Sequence, residues 1–326
     1  MARTLALAIS SMRSAAGDRP RRWRALADTF LPLIVFALML GAIAILRPNV
    51  MSYAGFNLLL KLSVPLILAA LSQMLIVALG DIDLSTGAFI GFVTCVCAVH
   101  LDASPAYAAL LLTAGIAAQA GVGALIHLRR IASIIVTLGL SFVWTGVAVI
   151  ILPAPGGIAP AWLTALPRLH APLVPLPIWL AAALALLFHV VLMKSSLGVV
   201  IRGTGGNAKA VARAGWSVLT VRVGVYAGAA ALNVLAGLML SALTTSGAPN
   251  IAPAYTLLSI AAVILGGGSF VGGLVSPTGA VLGAMTLSLV GSVLTFLDVA
   301  PVWQIGAQGL MLIAVLLGRI LTRGRT

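Results

Sequence analysis

The chain has 326 residues, of which 61% are hydrophobic and only 8% are charged, and its mean hydropathy is +1.18. Soluble domains carry about 25% charged residues, so this composition excludes a water-soluble fold. Nineteen Lys and Arg against six acidic residues give a net charge of +13, but no stretch combines clustered basic residues with aromatics, so we expect no nucleic-acid binding. The 34 glycines and 16 prolines are typical of closely packed, interrupted membrane helices. The composition therefore predicts an all-α polytopic membrane protein.

Apolar segments along the chain predict about ten transmembrane helices, because a helix needs about 20 apolar residues to cross the hydrocarbon core. The segments are residues 30–46, 55–79, 87–101, 106–127, 132–152, 177–193, 221–243, 255–265, 277–297 and 302–320. The third and the eighth are short and border Gly-rich breaks. We therefore expect half-helices or re-entrant turns at these two places.

The basic residues predict the orientation. With both termini in the cytoplasm, 16 Lys and Arg lie inside and two lie outside, as the positive-inside rule requires. The predicted organisation is a cytoplasmic tail over 1–29, one transmembrane domain over 30–320 and a cytoplasmic tail over 321–326. Residues 194–220 form the longest internal loop. Cys95 and Cys97, two apart in an apolar run, are interpreted as small core residues.

The external loop over 153–177 contains seven prolines and Trp162. Proline fixes φ and resists helix, so the loop is predicted to be ordered and non-helical. It is either a plain connector or a surface on which a partner docks.

A first motif, Leu-Gly-Asp-Ile-Asp-Leu-Ser-Thr-Gly, occupies residues 79–87. Two carboxylates in an apolar stretch are costly unless they are paired, hydrated or capping. Asp83 or Ser85 is suited to cap the helix that starts near Gly87. A direct role of Asp81 or Asp83 with the substrate or with a coupling ion is the alternative.

A second motif, over residues 203–215, is rich in glycine, but Ala210 follows Lys209, so the phosphate-loop ending is absent. Asn207 is suited to cap a short helix that runs to about Ala214, and Gly215 to stop it. This predicts a two-turn helix on the cytoplasmic surface. A third motif, over residues 259–273, has five glycines in eight residues, which allow tight turns and close backbone approach.

In this order and spacing, the three motifs resemble the inner-membrane permeases of ribose-type ABC importers. The family includes carriers of ribose, xylose, arabinose, galactose and the autoinducer-2 signal. The likeness extends from about Asn57 to Arg319 and includes Trp303-Gln304 and the Gly-Leu-Met run at 309–311. The chain departs from the usual pattern at Asp81, where a glycine is usual, and at Thr256 and Lys209, where acids are usual.

The resemblance implies a multi-pass subunit of the bacterial inner membrane that conducts a small polar solute, most simply a monosaccharide. It implies a second permease subunit, identical or paralogous, a separate ABC ATP-binding subunit and a periplasmic substrate-binding protein, in contact with membrane lipid. It implies no ATP site and no cofactor in this chain. The surface helix would be the coupling helix that docks on the ATPase, with Arg222 meeting an acidic rim together with its neighbours. The predicted coupling residues are Arg202, Gly205, Asn207, Lys209, Ala210, Arg213 and Gly215.

Polar and aromatic residues inside the spans are the candidates for the substrate path: Asn57, Gln73, Asp83, Thr137, Trp144, Asn233, Tyr255, Phe270 and Gln304. For each of them, helix–helix hydrogen bonding or interfacial anchoring is the alternative. The predicted broken-helix residues are Gly80, Asp81, Asp83, Ser85, Gly87, Gly266, Gly267, Gly272 and Gly273. The four His have no metal-ligand spacing, so no metal is expected. An ion- or proton-coupled secondary transporter, with Asp81 or Asp83 carrying the proton, is the alternative function.

Overall fold

The computed structural model describes residues 32–300 together with residues 303, 306, 307, 309, 310 and 313. Over this part the chain is helical, and its only extended pairing is an isolated antiparallel bridge between Gly156 and Gly247. The helices are α1 (Pro32–Leu46), α2 (Tyr53–Lys61), α3 (Ser63–Ala78), α4 (Thr86–His100), α5 (Pro105–Arg129), α6 (Ser133–Ile151), α7 (Ala161–Ala165), α8 (Leu176–His189), α9 (Ser196–Arg213), α10 (Val218–Thr244), α11 (Pro253–Leu265) and α12 (Pro277–Phe296).

Six helical stretches in the described residues are long and apolar enough to cross a membrane: Tyr53–Ala78, Pro105–Arg129, Ser133–Ile151, Leu176–Lys194, Val218–Thr244 and Pro277–Phe296. Three shorter apolar helices, α1, α4 and α11, accompany them. The all-α prediction is confirmed. Nine of the ten predicted segments each coincide with one of these stretches. The tenth, 302–320, lies mostly outside the described residues, so ten spans and the orientation of the termini stay predictions.

Helix α3 is the centre of the bundle, since all 16 of its residues are buried. Helices α10, α11 and α12 pack around it. The predicted segment 55–79 is interrupted just before this helix, where α2 ends at Lys61. Pro65 lies one turn further on, has no N–H to offer the Lys61 carbonyl, and clashes with it in a continuous helix.

Helix α6 lies at the periphery and buries its polar face. Its buried residues are Ser133, Thr137, Trp144 and Ala148, which recur at helical spacing, whereas Ile135, Phe142 and Ile150 are among those exposed. Lipid chains are as apolar as Leu, so apolar side chains gain little by facing the protein rather than the lipid. Polar side chains face the protein instead, where they find hydrogen-bond partners.

Two predicted loops contain more helix than the sequence indicated. The segment 153–177 was expected to be non-helical, but α7 and a 3-10 turn, Leu166–Arg168, lie in it. The first half of segment 194–220 is also helical, because Ser195 caps α9 by accepting a hydrogen bond from the Gly198 N–H at 3.1 Å. Cys95 and Cys97 are free and fully buried, as core residues.

Candidate functional site

The break between α3 and α4 is a non-helical segment, and side chains of α6 accept hydrogen bonds from two of its backbone N–H groups. The Ile82 N–H donates to Ser133 Oγ at 3.2 Å, and the Leu84 N–H donates to Thr137 Oγ1 at 3.0 Å. Gly80 opens the segment with φ at +80°. An open backbone at membrane depth is tolerated only where protein satisfies it, and the polar face of α6 meets this condition.

Asp83 fixes the turn that leads into α4. Its Oδ1 accepts from the Ser85 N–H at 2.7 Å and from Ser85 Oγ at 2.6 Å, and its Oδ2 accepts from Thr86 Oγ1 at 3.2 Å. With its amide nitrogen towards the Asp83 carbonyl, Gln73 both donates to that carbonyl and accepts from the Asp83 N–H, each at 3.1 Å. Gln119 of α5 donates to Ser85 Oγ at 2.9 Å. The Asp83 carboxylate is therefore occupied by local donors and holds the turn before α4. The predicted cap differs from what the structure has, because Ser85 at the N-cap position makes no side-chain cap hydrogen bond and the backbone N–H bound by Asp83 is that of Ser85, ahead of the helix.

Asp81 is paired with α10. Arg222 Nη1 lies 2.5 Å from Asp81 Oδ2, and Tyr226 donates to the same oxygen at 3.3 Å. The interpretation of Arg222 as a contact for the ATPase rim is therefore corrected: this guanidinium points into the bundle because the carboxylate in the break needs a partner there. Arg222 and Tyr226 are four residues apart and so share one face of α10.

The three glycine-rich motifs meet backbone to backbone at one point, the glycine junction, formed by Gly80, Gly205, Gly272 and Gly273. The Gly273 N–H donates to the Ala78 carbonyl at 3.0 Å. A Cβ on Gly205 would lie within 3 Å of the Ala78 oxygen and 2.8 Å from the Gly273 nitrogen. A Cβ on Gly272, which has φ at +78°, would lie 2.6 Å from the Gly205 oxygen. The end of α3, the middle of α9 and the loop after α11 thus touch with no side chain between them.

The predicted surface helix is the second half of α9. Asn207 breaks the helix with φ −156° and ψ 82°, and its Oδ1 caps the next turn by accepting from the Ala210 N–H at 3.1 Å. Gly215 ends the segment with φ at +86°. Val211 is buried, whereas Lys209 and Arg213 are exposed.

The remaining predicted coupling and broken-helix residues lie on α9, at the start of α4 and after α11. Arg202 folds its Nε onto the Gly198 carbonyl of its own helix at 3.3 Å. Ala210 is exposed on the surface helix. Gly87, in the first turn of α4, donates its N–H to Thr256 Oγ1 at 2.9 Å. Gly266 and Gly267 follow α11, where Gly266 packs against Gly279 of α12.

The predicted path residues do not form one group. Gln73, Asp83 and Thr137 come together at the break. Trp144 lies elsewhere, with ring centroids 4.8 Å from both Phe89 and Phe92. The others are scattered: Asn57 and Asn233 are buried, Tyr255 is partly buried, Phe270 is exposed, and Gln304 lies outside the described residues.

Sequence reasoning missed three residues of the site: Gln119, Ser133 and Tyr226. Gln119 and Ser133 are isolated polar residues at helical positions in apolar spans, and this was a usable signal because such groups face protein rather than lipid. Tyr226 was marked only by its spacing from Arg222.

Comparison with known proteins identifies the family of the chain. Residues 56–316 match the family described as branched-chain amino acid transport system / permease component. The chain belongs to this family. The L-arabinose transport system permease protein AraH of Escherichia coli (strain K12) is 28% identical to the permease over 302 residues, which cover 89% of the chain and 90% of AraH. The ribose import permease protein RbsC of the same strain is 29% identical over 295 residues, 87% of the chain and 91% of RbsC.

A shorter match is to the xylose transport system permease protein XylH of Haemophilus influenzae, 34% identical over 143 residues, 44% of the chain and 38% of XylH. No solved structure matches the permease significantly. The resemblance to transport permeases is confirmed. The permease is a multi-pass membrane component of a transport system and is not that system's ATPase.

Proposed function

We propose that the permease is the transmembrane subunit of an ABC importer of the bacterial inner membrane and forms the path for a monosaccharide. A separate ATP-binding subunit docks on residues 207–213, a periplasmic binding protein delivers the sugar, and a second permease subunit completes the path. The observation that carries the proposal is the glycine junction, which joins the surface helix to both breaks in the bundle. AraH, RbsC and XylH are permeases for arabinose, ribose and xylose, which supports a sugar as the solute.

The surface helix, residues 207–213, has the features of a docking element for the ATP-binding subunit. The Asn207 side chain caps it. Buried Val211 packs back across the break at Asn207 onto Gly203, where a Cβ would lie 3.0 Å from Val211 Cγ2, so the surface helix is coupled to the first half of α9. It presents Lys209 and Arg213 outward, and these cations favour an acidic partner surface through steering and register.

The glycine junction connects the surface helix mechanically to both breaks in the bundle. The contacts at Gly205 and Gly272 are between backbone atoms, so no flexible side chain absorbs a displacement. A shift of α9 therefore moves the end of α3 and the 272–273 loop with it. Closely packed elements of this kind switch between discrete packings rather than deforming continuously.

The pairing of the two carboxylates in the break with neighbouring groups argues against ion coupling and so favours a neutral solute. Asp81 is paired with Arg222, and Asp83 accepts three hydrogen bonds from its neighbours, so neither carboxylate is left to carry a coupling proton.

Docking is tested by placing the photo-crosslinker benzoyl-phenylalanine at Lys209 in the permease co-expressed with the ATP-binding subunit of its own system. The matched control is Trp162, which is also exposed but lies near the C-terminus of α10. This end of α10 is about 40 Å from the N-terminal end, which follows the surface helix, because α10 has 27 residues. We expect a crosslink to the ATPase from Lys209 and none from Trp162. A crosslink from Trp162 alone overturns the proposal.

Orientation is tested with a membrane-impermeant thiol reagent on Ala210→Cys and Trp162→Cys. Background labelling is low because Cys95 and Cys97 are buried. We expect Ala210→Cys to react only in inverted vesicles and Trp162→Cys only in right-side-out vesicles.

The solute is tested by uptake into proteoliposomes that contain the complete complex, with arabinose, ribose and xylose against leucine. We expect ATP-dependent uptake of a sugar. Uptake that persists without ATP and collapses with an uncoupler identifies a secondary transporter and refutes the proposal, and uptake of leucine alone refutes the sugar.

A further inference from the structure

A cavity of about 620 Å³ opens at the end of the bundle that carries the glycine junction. Its walls are the C-terminal end of α5, the turn that follows, the first residues of α6, and α10 at Arg222. It shares Asp81, Ser133 and Arg222 with the break, but none of the path candidates that the structure describes and none of the coupling residues between 202 and 215 lines it.

The cavity carries a surplus of positive charge. Arg130 and Arg222 line it with His127, against a single carboxylate, Asp81. Asp81 engages only Nη1 of Arg222, and Arg222 Nε is buried with no hydrogen-bond partner in the described part of the chain. Among the residues that the structure describes, no ion pair joins Arg130 or His127 to an acid.

The start of α6 adds donors to the same wall. Ala132 precedes this 19-residue helix and provides no side-chain cap. The Ser133 hydroxyl accepts from the Ile82 N–H instead. Uncapped N–H groups at a helix start favour an anion, and here they stand beside two guanidinium groups.

The surroundings of the cavity are apolar and exposed. Leu128 is 64% exposed, Ile134 45% and Ile135 67%, and all three flank the cavity or its wall. In a membrane protein these side chains meet acyl chains. An anion that reaches the cavity from this side arrives as the headgroup of a lipid.

We propose that this cavity binds the phosphodiester of an anionic phospholipid, with Arg130 as its principal ligand and the start of α6 as the second. Basic pockets between membrane helices are suited to anionic headgroups. The lipid would bridge α5 and α6 beside the Asp81–Arg222 pair, where it holds the wall of the break in place. This inference does not depend on the proposed transport function, because it concerns the permease alone.

The test is native mass spectrometry of the detergent-purified permease with dioleoyl-phosphatidylglycerol or dioleoyl-phosphatidylcholine added. Arg130→Asn is the variant of choice, since Asn tolerates the left-handed backbone at φ +53°. The matched control is Arg129→Asn, because Arg129 is the adjacent residue, is exposed like Arg130 and does not line the cavity. We expect about tenfold weaker retention of phosphatidylglycerol in Arg130→Asn and little change in Arg129→Asn, a tenfold loss being the scale of about 1.4 kcal/mol.

Arg130→Lys serves as the second variant, which keeps the charge and should retain most of the binding even if Arg130→Asn fails to fold. Equal loss in Arg129→Asn, or equal retention of phosphatidylcholine, overturns the proposal. Inorganic phosphate is the remaining arm: if it displaces phosphatidylglycerol at millimolar concentration, the cavity is a free-phosphate site and the assignment to lipid is wrong.

Discussion

Gly205→Ala tests whether the glycine junction transmits motion. The new methyl carbon would lie within 3 Å of three backbone atoms: the Ala78 oxygen, the Gly273 nitrogen and the Leu79 carbonyl carbon. Ordinary contact for a Cβ starts at 3.4 Å, so each of these atoms must retreat by at least about 0.5 Å. Backbone atoms of two different segments, the end of α3 and the 272–273 loop, would have to give way together.

The cost of such overpacking is about 1–3 kcal/mol, of which the better helix propensity of Ala offsets at most about 1 kcal/mol. If the strain falls on only one of the two conformations of the transport cycle, 1–3 kcal/mol shifts their equilibrium by about 5- to 150-fold. We expect Gly205→Ala to lose most sugar-stimulated ATP hydrolysis of the reconstituted complex while the permease still inserts and purifies.

Gly206→Ala is the matched control, because a Cβ on this neighbouring residue meets nothing within 4 Å. We expect normal coupling in this variant, with stability unchanged or slightly raised. If the two variants couple ATP hydrolysis equally well, the junction does not transmit the motion of the surface helix.

Three further predictions concern the groups around the junction. Thr137→Val leaves the Leu84 N–H without its acceptor and should cost about 1–3 kcal/mol, seen as a lower melting temperature, whereas Thr145→Val, on the same helix, loses only an intrahelical bond and should be nearly neutral. Asp81→Asn should destabilise the permease by up to about 3–5 kcal/mol because a buried guanidinium loses its partner, and adding Arg222→Gln should restore part of this; a double variant as unstable as the sum would contradict the pairing. Gly215→Val should lower stability by about 1–2 kcal/mol through the φ of +86° alone, since the space around Gly215 is open. It should also weaken coupling of ATP hydrolysis more than Gly215→Asn does. Equal coupling in the two variants would show that the turn at Gly215 does not position the surface helix.

The sequence predicted the helices well because each depends on a local apolar run. It also predicted the cap at Asn207 and the stop at Gly215, since both are determined by residues within a turn of each other. It did not reveal that Gly80, Gly205 and Gly272 touch, because contacts between segments more than 60 residues apart have no local signature.

Arg222 shows the second way in which sequence reasoning failed. It was grouped with the internal basic loop because it follows that loop directly, but α10 begins earlier, at Val218, and carries it into the bundle. The first half of α9 was missed for a related reason. Its glycines suggested a loop, whereas in the structure they allow the helix to pass against the end of α3.

The complete burial of α3 has a consequence for how the chain is made. Ser72 donates to the Ala229 carbonyl at 2.8 Å, a partner that lies 157 residues later. Ribosomes add about 5–20 residues per second, so this hydroxyl waits on the order of ten seconds before α10 arrives. During synthesis the Ser72 hydroxyl is therefore without its final partner, and a nascent chain cut short before α10 never acquires it.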